Sequence, residues 1–298
     1  MSVPVVFNRR IGKNEIAPLL DIIDDTEDCG VIHRRQASVF LQLKEAIGFI
    51  SSVDNDTMGG TIVYRDRTRL GMAIAAIGIK REYQDSGIYT IIKSSLPFFR
   101  TVAIRDVDVI VAERPLSDNL GFPFSFCLPT WTLPVLERIG FAEEKKLFSC
   151  TFKIDPETLL DFREIQWDNE INSEGAKSLI WDEGRRLGLM NSLTWMSLDF
   201  SIHSKTLHTL TDGASTKIIA SISNLEKTKI ISLFATREQF ERSNGAAGSL
   251  TSIIKTMRAS NVRFPMVGEG QIEMLKSVTD QIGGILKIES LMHMRRRL

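Results

Sequence analysis

One order of helices and strands runs through this chain and then begins again, and that repeat limits its fold more than any other feature. In the first half, "NEIAPLLDIIDD" and "RQASVFLQLKEA" carry apolar residues at helical spacing. The strands "IGFISSVDN", "GTIVYRDRT" and "GMAIAAIGIKRE" follow, separated by turn residues. Next come a glycine loop opening a helix in "YQDSGIYTIIKSSLP", the strand "DVDVIVAERP", the helix and turn "LPVLERIGF", and the strand "KLFSCTFKI". After the polar, proline-bearing stretch near "KIDPETLLD" the order returns. "DFREIQW" reads as an opening strand, and helices follow in "NSEGAKSLIWDEGRRLGLM" and part of "NSLTWMSLDF". The strands "KTLHTLTDG", "TKIIASISNLE" and "TKIISLFATRE" lead to a second glycine loop, "RSNGAAGSL". Its helix places Leu250, Ile253, Ile254 and Met257 on one face. The strand "NVRFPMV", the helix "IEMLKSVTDQIGG" and the strand "ILKIESLMHM" complete the copy. The two glycine loops lie about half the chain apart, which points to two similar domains.

The length agrees, because 298 residues are many for one hydrophobic core and comfortable for two. The expected domains are residues 1–154 and 155–298. A composition of 43% hydrophobic and 25% charged residues fits packed globular structure. Lys+Arg and Asp+Glu each number 37, so no net charge draws the chain to nucleic acid. Cys29, Cys127 and Cys150 have neither zinc-site nor redox-pair spacing, so no metal is expected and the thiols read as buried in a reducing compartment. The N-terminal "MSVPVVFNRRIG" has no secretory apolar segment, and no stretch approaches the ~18 to 20 apolar residues of a membrane span. The expectation is a soluble cytoplasmic protein.

In "RSNGAAGSL", Arg242 stands three places before Gly245, and Ala246, Ala247 and Gly248 leave the first helical turn bare. A helix N-terminus offers free N–H groups and a partial positive charge to an anion, and glycine lets phosphate oxygens reach the backbone. The other reading of such a loop is a helix start with glycine for packing and no ligand. The pair Gly268 and Gly270 in "VGEGQIEML" invites comparison with a dinucleotide fingerprint, but Glu273 stands at its third position and the unit lies too late in the chain to open a βαβ repeat.

The element order, with a strand feeding a glycine loop and helix, then a strand, then a helix ending in "ERIGF", resembles the GNAT superfamily of acetyl-coenzyme A dependent acyltransferases. That family's loop pattern is Arg or Gln, two residues, Gly, one residue, then Gly or Ala. The second half matches with Arg242, Gly245 and Ala247. The first has Gln84 and Gly87, but Tyr89 at the small position, and Pro97 should end its helix early. The resemblance implies an α/β fold of two tandem GNAT-like domains with mixed sheets, and acetyl-CoA as acyl donor. It implies donor contacts at Phe234, Ala235, Arg242, Ser243, Asn244, Gly245, Ala246 and Ala247, with weaker counterparts at Gln84 and Gly87.

The same resemblance implies direct attack by an amine on the thioester and a backbone N–H on the fourth strand polarising the carbonyl. A tyrosine of the last helix often protonates the leaving thiolate. That place falls to Leu136 in the first half and Thr279 in the second, and neither is an ordinary acid. His208, on a predicted strand of the better-matched half, is the candidate general base, with a hydrogen-bonded structural role as its other reading. Trp181 and Trp195 read as core residues before they read as an acceptor pocket, and the terminal residues 295–297 as a solvated end. The expected function is N-acetyl transfer to an amine of unidentified acceptor. The alternative is a non-catalytic tandem protein, either a CoA-binding sensor or an interaction scaffold.

Overall fold

Strand-period runs broken by turn residues supply the sheet strands of each half of the chain, and helices cover their apolar faces. The computed structural model describes residues 6–298 apart from 13–14, 55, 85–86, 88, 94–103, 118, 155–165, 214, 243–244 and 257–259. Contacts divide the chain into two units, Met1–Lys145 with Leu291–Leu298, and Lys146–Ser290.

The first unit opens with β1 (Val6–Arg10), an element absent from the sequence reading. Helices α1 (Ile16–Asp24) and α2 (Arg34–Phe40) follow, then the antiparallel run β2 (Ala46–Val53), β3 (Asp56–Asp66) and β4 (Gly71–Ile79). Helix α1 buries Leu19, Leu20, Ile22 and Ile23, and each such side chain contributes about 1.5–3 kcal/mol. β5 (Asp106–Ala112), the two-residue β6 (Cys127–Leu128), α3 (Leu133–Arg138) and β7 (Ala142–Lys153) come next. Of the helix expected over 83–97, Gln84, Gly87 and residues 89–93 are helical, and Pro97 lies outside the described residues.

The second unit takes β7 from Lys146 onward. The opening strand read from "DFREIQW" falls largely outside the described residues, as does most of the stretch around "KIDPETLLD". Helices α4 (Ser173–Glu183) and α5 (Ser192–His203) are each capped by an asparagine. The Asn172 carboxamide oxygen accepts from Gly175 N at 2.8 Å, and that of Asn191 accepts from Thr194 N at 2.9 Å. Strands β8 (Leu207–Asp212), β9 (Ser215–Leu225) and β10 (Thr228–Thr236) form an antiparallel meander. Then come α6 (Glu238–Arg242), α7 (Gly245–Thr256), β11 (Asn261–Gly268), α8 (Ile272–Ile282) and β12 (Ile285–Arg297). The strand order in this unit is β7-β11-β10-β9-β8. Helices α7 and α8 bury Leu250, Ile253, Ile254, Leu275 and Val278 with Phe152, Ile231 and Phe264 of the sheet.

The last part of β12 belongs to the first unit, where residues 291–297 run antiparallel to β5. Arg297 is exposed, but Arg295 and Arg296 are partly buried, which corrects the reading of residues 295–297 as a solvated end for those two. Arg295 stands opposite Asp108 in register and donates Nε to it at 2.8 Å. His293 is bonded to the same carboxylate oxygen at 2.8 Å, and Arg295 also reaches Glu144 at 2.9 Å. Asp108 and His293 are fully buried, and a buried carboxylate needs such partners to stay charged.

Candidate functional site

A bulge in β10 builds the site. The register of β10 against β9 slips between Ile231 and Leu233, which makes Ser232 the extra residue. Serines hold this irregularity: the Ser232 carbonyl accepts from Ser197 Oγ at 3.3 Å, and its hydroxyl meets Ser221 Oγ at 2.9 Å. Ser221 also accepts from Ser201 at 2.7 Å. A bulge bends its strand, and β10 parts from its other neighbour at this point. β10 and β11 pair in parallel over residues 228–230 against 261–263 and no further among the described residues. Beyond that, β10 keeps its ladder with β9 and β11 its ladder with β7, leaving a wedge between them.

Gln271 spans the wedge. Its side chain, only 3% exposed, donates Nε2 to Phe234 O at 2.6 Å and accepts from Gly268 N at 3.1 Å through Oε1. The backbone of residues 186–188 seals the outer end. A Cβ on Gly268 would lie 1.8 Å from Leu187 O, and one on Gly270 would lie 2.3 Å from Arg186 O. The "VGEG" glycines therefore serve close backbone packing.

Past the wedge the chain turns into α6 and then α7, which starts at Gly245. Arg186 fixes this turn: it donates Nη2 to Thr236 O at 2.9 Å and Nε to Glu183 at 2.8 Å, and it pairs with Glu241. Arg237 bonds Asp182 at 2.8 Å, and Glu183 accepts from Glu238 N at 3.3 Å. Ser243 and Asn244 lie outside the described residues, as do the side chains of Arg242 and Ala246. The Ala247 side chain is buried among Phe234, Leu250 and Ile254, so a small residue here lets the first turn of α7 approach the sheet. One residue on, Gly248 is exposed, with nothing within 4 Å of the place a Cβ would take. Phe234 and Ala235 are buried near the end of β10, paired with Ala220 and Ile219.

The remaining candidate residues stand apart from this turn. His208 is half-buried on β8, its ring 5.5 Å from Trp167, and burial pushes its pKa down. Its register partner is Ala220, which is itself paired with Phe234, so His208 lies two strand spacings, about 10 Å, from Phe234. The Thr279 hydroxyl donates to Leu275 O at 2.9 Å, and Leu136 is fully buried. Trp195 is buried, as expected. Trp181 is instead 55% exposed, because α4 turns that position away from the sheet. Cys29 and Cys150 are buried and Cys127 partly so, and burial pushes all three thiols up to about 12.

The matching place in the first unit is built differently. β4 has a bulge against β3 between Ile62 and Val63, with Ala75 as the extra residue, and among the described residues it pairs with β5 only over 71–73 against 106–108. Here β6 takes the vacated edge, pairing Cys127 with Ile110 and Leu128 with Val111. A Cβ on Gly87 would meet Met58 Sδ at 2.8 Å, and the Tyr89 ring lies 4.9 Å from the Arg138 guanidinium and 5.1 Å from Lys93 Nζ. The cleft at Gln84, about 190 Å³, is lined also by Asp25, Glu27, Ile79 and Arg81, and its two carboxylates oppose a phosphate.

Among the described residues no three His, Cys, Asp or Glu side chains gather as a metal site, and no helix is long and apolar enough to cross a membrane. No family model and no curated protein matches the chain. Solved structures do. A putative acetyltransferase from Pyrococcus horikoshii superposes with a TM-score of 0.65 at 11% identity, over 98% of this chain and 89% of that one. A tandem GNAT protein from the clavulanic acid biosynthesis pathway gives 0.63 at 8% identity, over 98% of each chain. A GCN5-related N-acetyltransferase from Sphaerobacter thermophilus gives 0.57 at 10%, over 98% and 95%. At these identities the likeness is one of fold, and the chain has the fold of a tandem GNAT protein.

Proposed function

We propose that the second unit binds an acyl thioester of coenzyme A, acetyl-CoA in the simplest case, and transfers its acyl group to an amine. The observation that carries this is a bulge-made wedge ending beside the glycine-opened helix α7. The residues fit such a donor. A helix start at Gly245 would offer N–H groups suited to a pyrophosphate, with Arg242 just before it as a charge-assisted partner. The open space at Gly248 keeps side chains clear of that helix start. In this reading Gly245 and Ala246 supply backbone of the cradle and Phe234 and Ala235 the wall of the wedge, while Ser243 and Asn244, expected beside them, lie outside the described residues.

When bound, the donor supplies an activated acyl carbon. The chain's part is to hold that carbon against a backbone N–H of β10 and to admit an amine from the other side. His208, kept neutral by burial, is the residue that takes the amine's proton, relayed through an intervening water because its register sets it two strand spacings from Phe234. No side-chain acid stands at Thr279, whose hydroxyl is already donated to Leu275 O, so the thiolate departs with water as its proton source. The first unit is a degenerate copy, its wedge filled by β6 and its loop packed against Met58.

The committed hydroxyl of Thr279 and the burial of Leu136 also favour a second reading, a CoA-binding protein without catalysis. Calorimetric titration with acetyl-CoA, paired with thiol release across a panel of primary amines, separates the two. Binding with amine-dependent thiol release supports the enzyme, binding alone supports the sensor, and no binding refutes both.

A further inference from the structure

We infer that Gln271 is a positioning residue for acyl transfer, a strut that fixes the width of the wedge between β10 and β11. This rests on the reading that the wedge holds the acyl thioester. A side-chain carboxamide carries the same donor and acceptor as a peptide group. Gln271 uses both, one toward each strand: Nε2 to Phe234 O on β10 and Oε1 from Gly268 N on β11. It thereby stands in for one residue of a missing strand and ties the two walls together beyond the point where their own ladder stops. The three groups are buried or nearly so, so an unmade bond there is not replaced by water at low cost. Gly268 and Gly270 let the backbone of residues 186–188 press on the outer side, so the wall at β11 is braced from behind. Past its bulge the wall at β10 is held by its ladder with β9 and, at its end, by the bond from Arg186 to Thr236 O, and the strut is what ties it across to β11 among the described residues.

The pyrophosphate site at α7 and the wedge are separate places in this unit, so losing the strut affects them unequally. Donor affinity, resting mainly on the helix start, persists. The thioester, no longer held against the β10 backbone, loses its alignment with the amine, and misplacement by about 1 Å can cost roughly 10²-fold in rate.

The test uses the full chain with Gln271→Met, which keeps volume and loses both bonds, and Gln271→Glu, which keeps the acceptor and sets a carboxylate oxygen against Phe234 O. Ile282→Ala, a core truncation at the far end of α8, serves as a stability control. Acetyl-CoA affinity is measured by calorimetry, kcat by thiol release, and folding by thermal melting. The expected result is a fall in kcat of at least about thirtyfold in both Gln271 variants, with affinity changed less than about threefold. The Ile282→Ala control should lower the melting temperature with kcat retained. Gln271 variants that stay folded and keep kcat within threefold of wild type overturn the strut. An equal loss in Ile282→Ala at matched stability also overturns it, since general loosening then explains the effect. Wild-type protein that binds no acetyl-CoA overturns the functional reading and the inference with it.

Discussion

Arg186 joins α4 to the turn that carries the proposed donor site, and its removal should be felt both in stability and in binding. Arg186→Ala deletes three bonds: to Glu183 at 2.8 Å, to Thr236 O at 2.9 Å, and to Glu241. The guanidinium is 30% exposed and its acidic partners 14% and 22%, so the charges are partly screened. Each carboxylate pair is then worth about 0.5–1 kcal/mol and the carbonyl bond about 1 kcal/mol, for a total near 2–3 kcal/mol. The loss also frees Glu241 one residue before Arg242, where an unpaired carboxylate repels phosphate. Urea denaturation should show the midpoint fall with the slope unchanged, and acetyl-CoA affinity should weaken by about tenfold. Arg186→Lys restores charge without the fork and should recover less than half of the stability. A change below about 0.5 kcal/mol with donor affinity intact would refute the claim that this arginine holds the turn.

Three further outcomes follow. Thr279→Ala should lower the transfer rate by less than about tenfold and Thr279→Tyr should leave it unchanged or raise it, since acid catalysis worth ~10²–10⁴-fold is not in place here; a hundredfold loss in the alanine variant with binding intact would assign Thr279 a direct role. His208→Phe keeps a ring beside Trp167 and should lower kcat at neutral pH by about 10² or more with donor affinity unchanged; a rate within threefold of wild type would give the proton to water. Asp108→Asn should destabilise the first unit by about 3–5 kcal/mol, because Arg295, 12% exposed, loses its buried counter-charge. Burial alone would raise the Asp108 pKa, but its bonds to His293 and Arg295 outweigh that and hold it well below the usual carboxylate range. The stability it contributes is therefore present above pH ~4, the unfolded value, and lost as pH falls through the folded one. His293, whose pKa burial pushes down, adds a loss of the same sign below pH ~6.5. Melting curves across that range should be flatter in Asp108→Asn.

What the sequence made legible is what depends on local pattern. Helix α1 with Leu19, Leu20, Ile22 and Ile23, helix α8 with Met274, Leu275 and Val278, and the meander β8 to β10 all follow from spacing and turn residues. The start of α7 at Gly245 follows the glycine in the same way. What stayed hidden depends on pairing between distant residues. Nothing local to "LMHMRRRL" indicates that it lies beside β5, since the ladder with β5 and the facing Asp108 and Glu144 come from distant parts of the sequence. The bulge at Ser232 rests on Ser197, Ser201 and Ser221, which in sequence are ordinary small polar residues. Gln271 is conspicuous only once β10 and β11 are known to part. The one local signal is the tight "GEGQ" spacing, in which two glycines admit close backbone just before Gln271.

The central claim is that one of the two glycine loops holds the donor. Calorimetric titration of the whole chain with acetyl-CoA, in wild type and in the paired variants Arg242→Glu and Gln84→Glu, tests it most directly. The account predicts one site per chain, loss of most affinity in Arg242→Glu at roughly 1.5–3 kcal/mol for the charge-assisted contact, and little change in Gln84→Glu. Two sites per chain, or equal losses in the two variants, would contradict it.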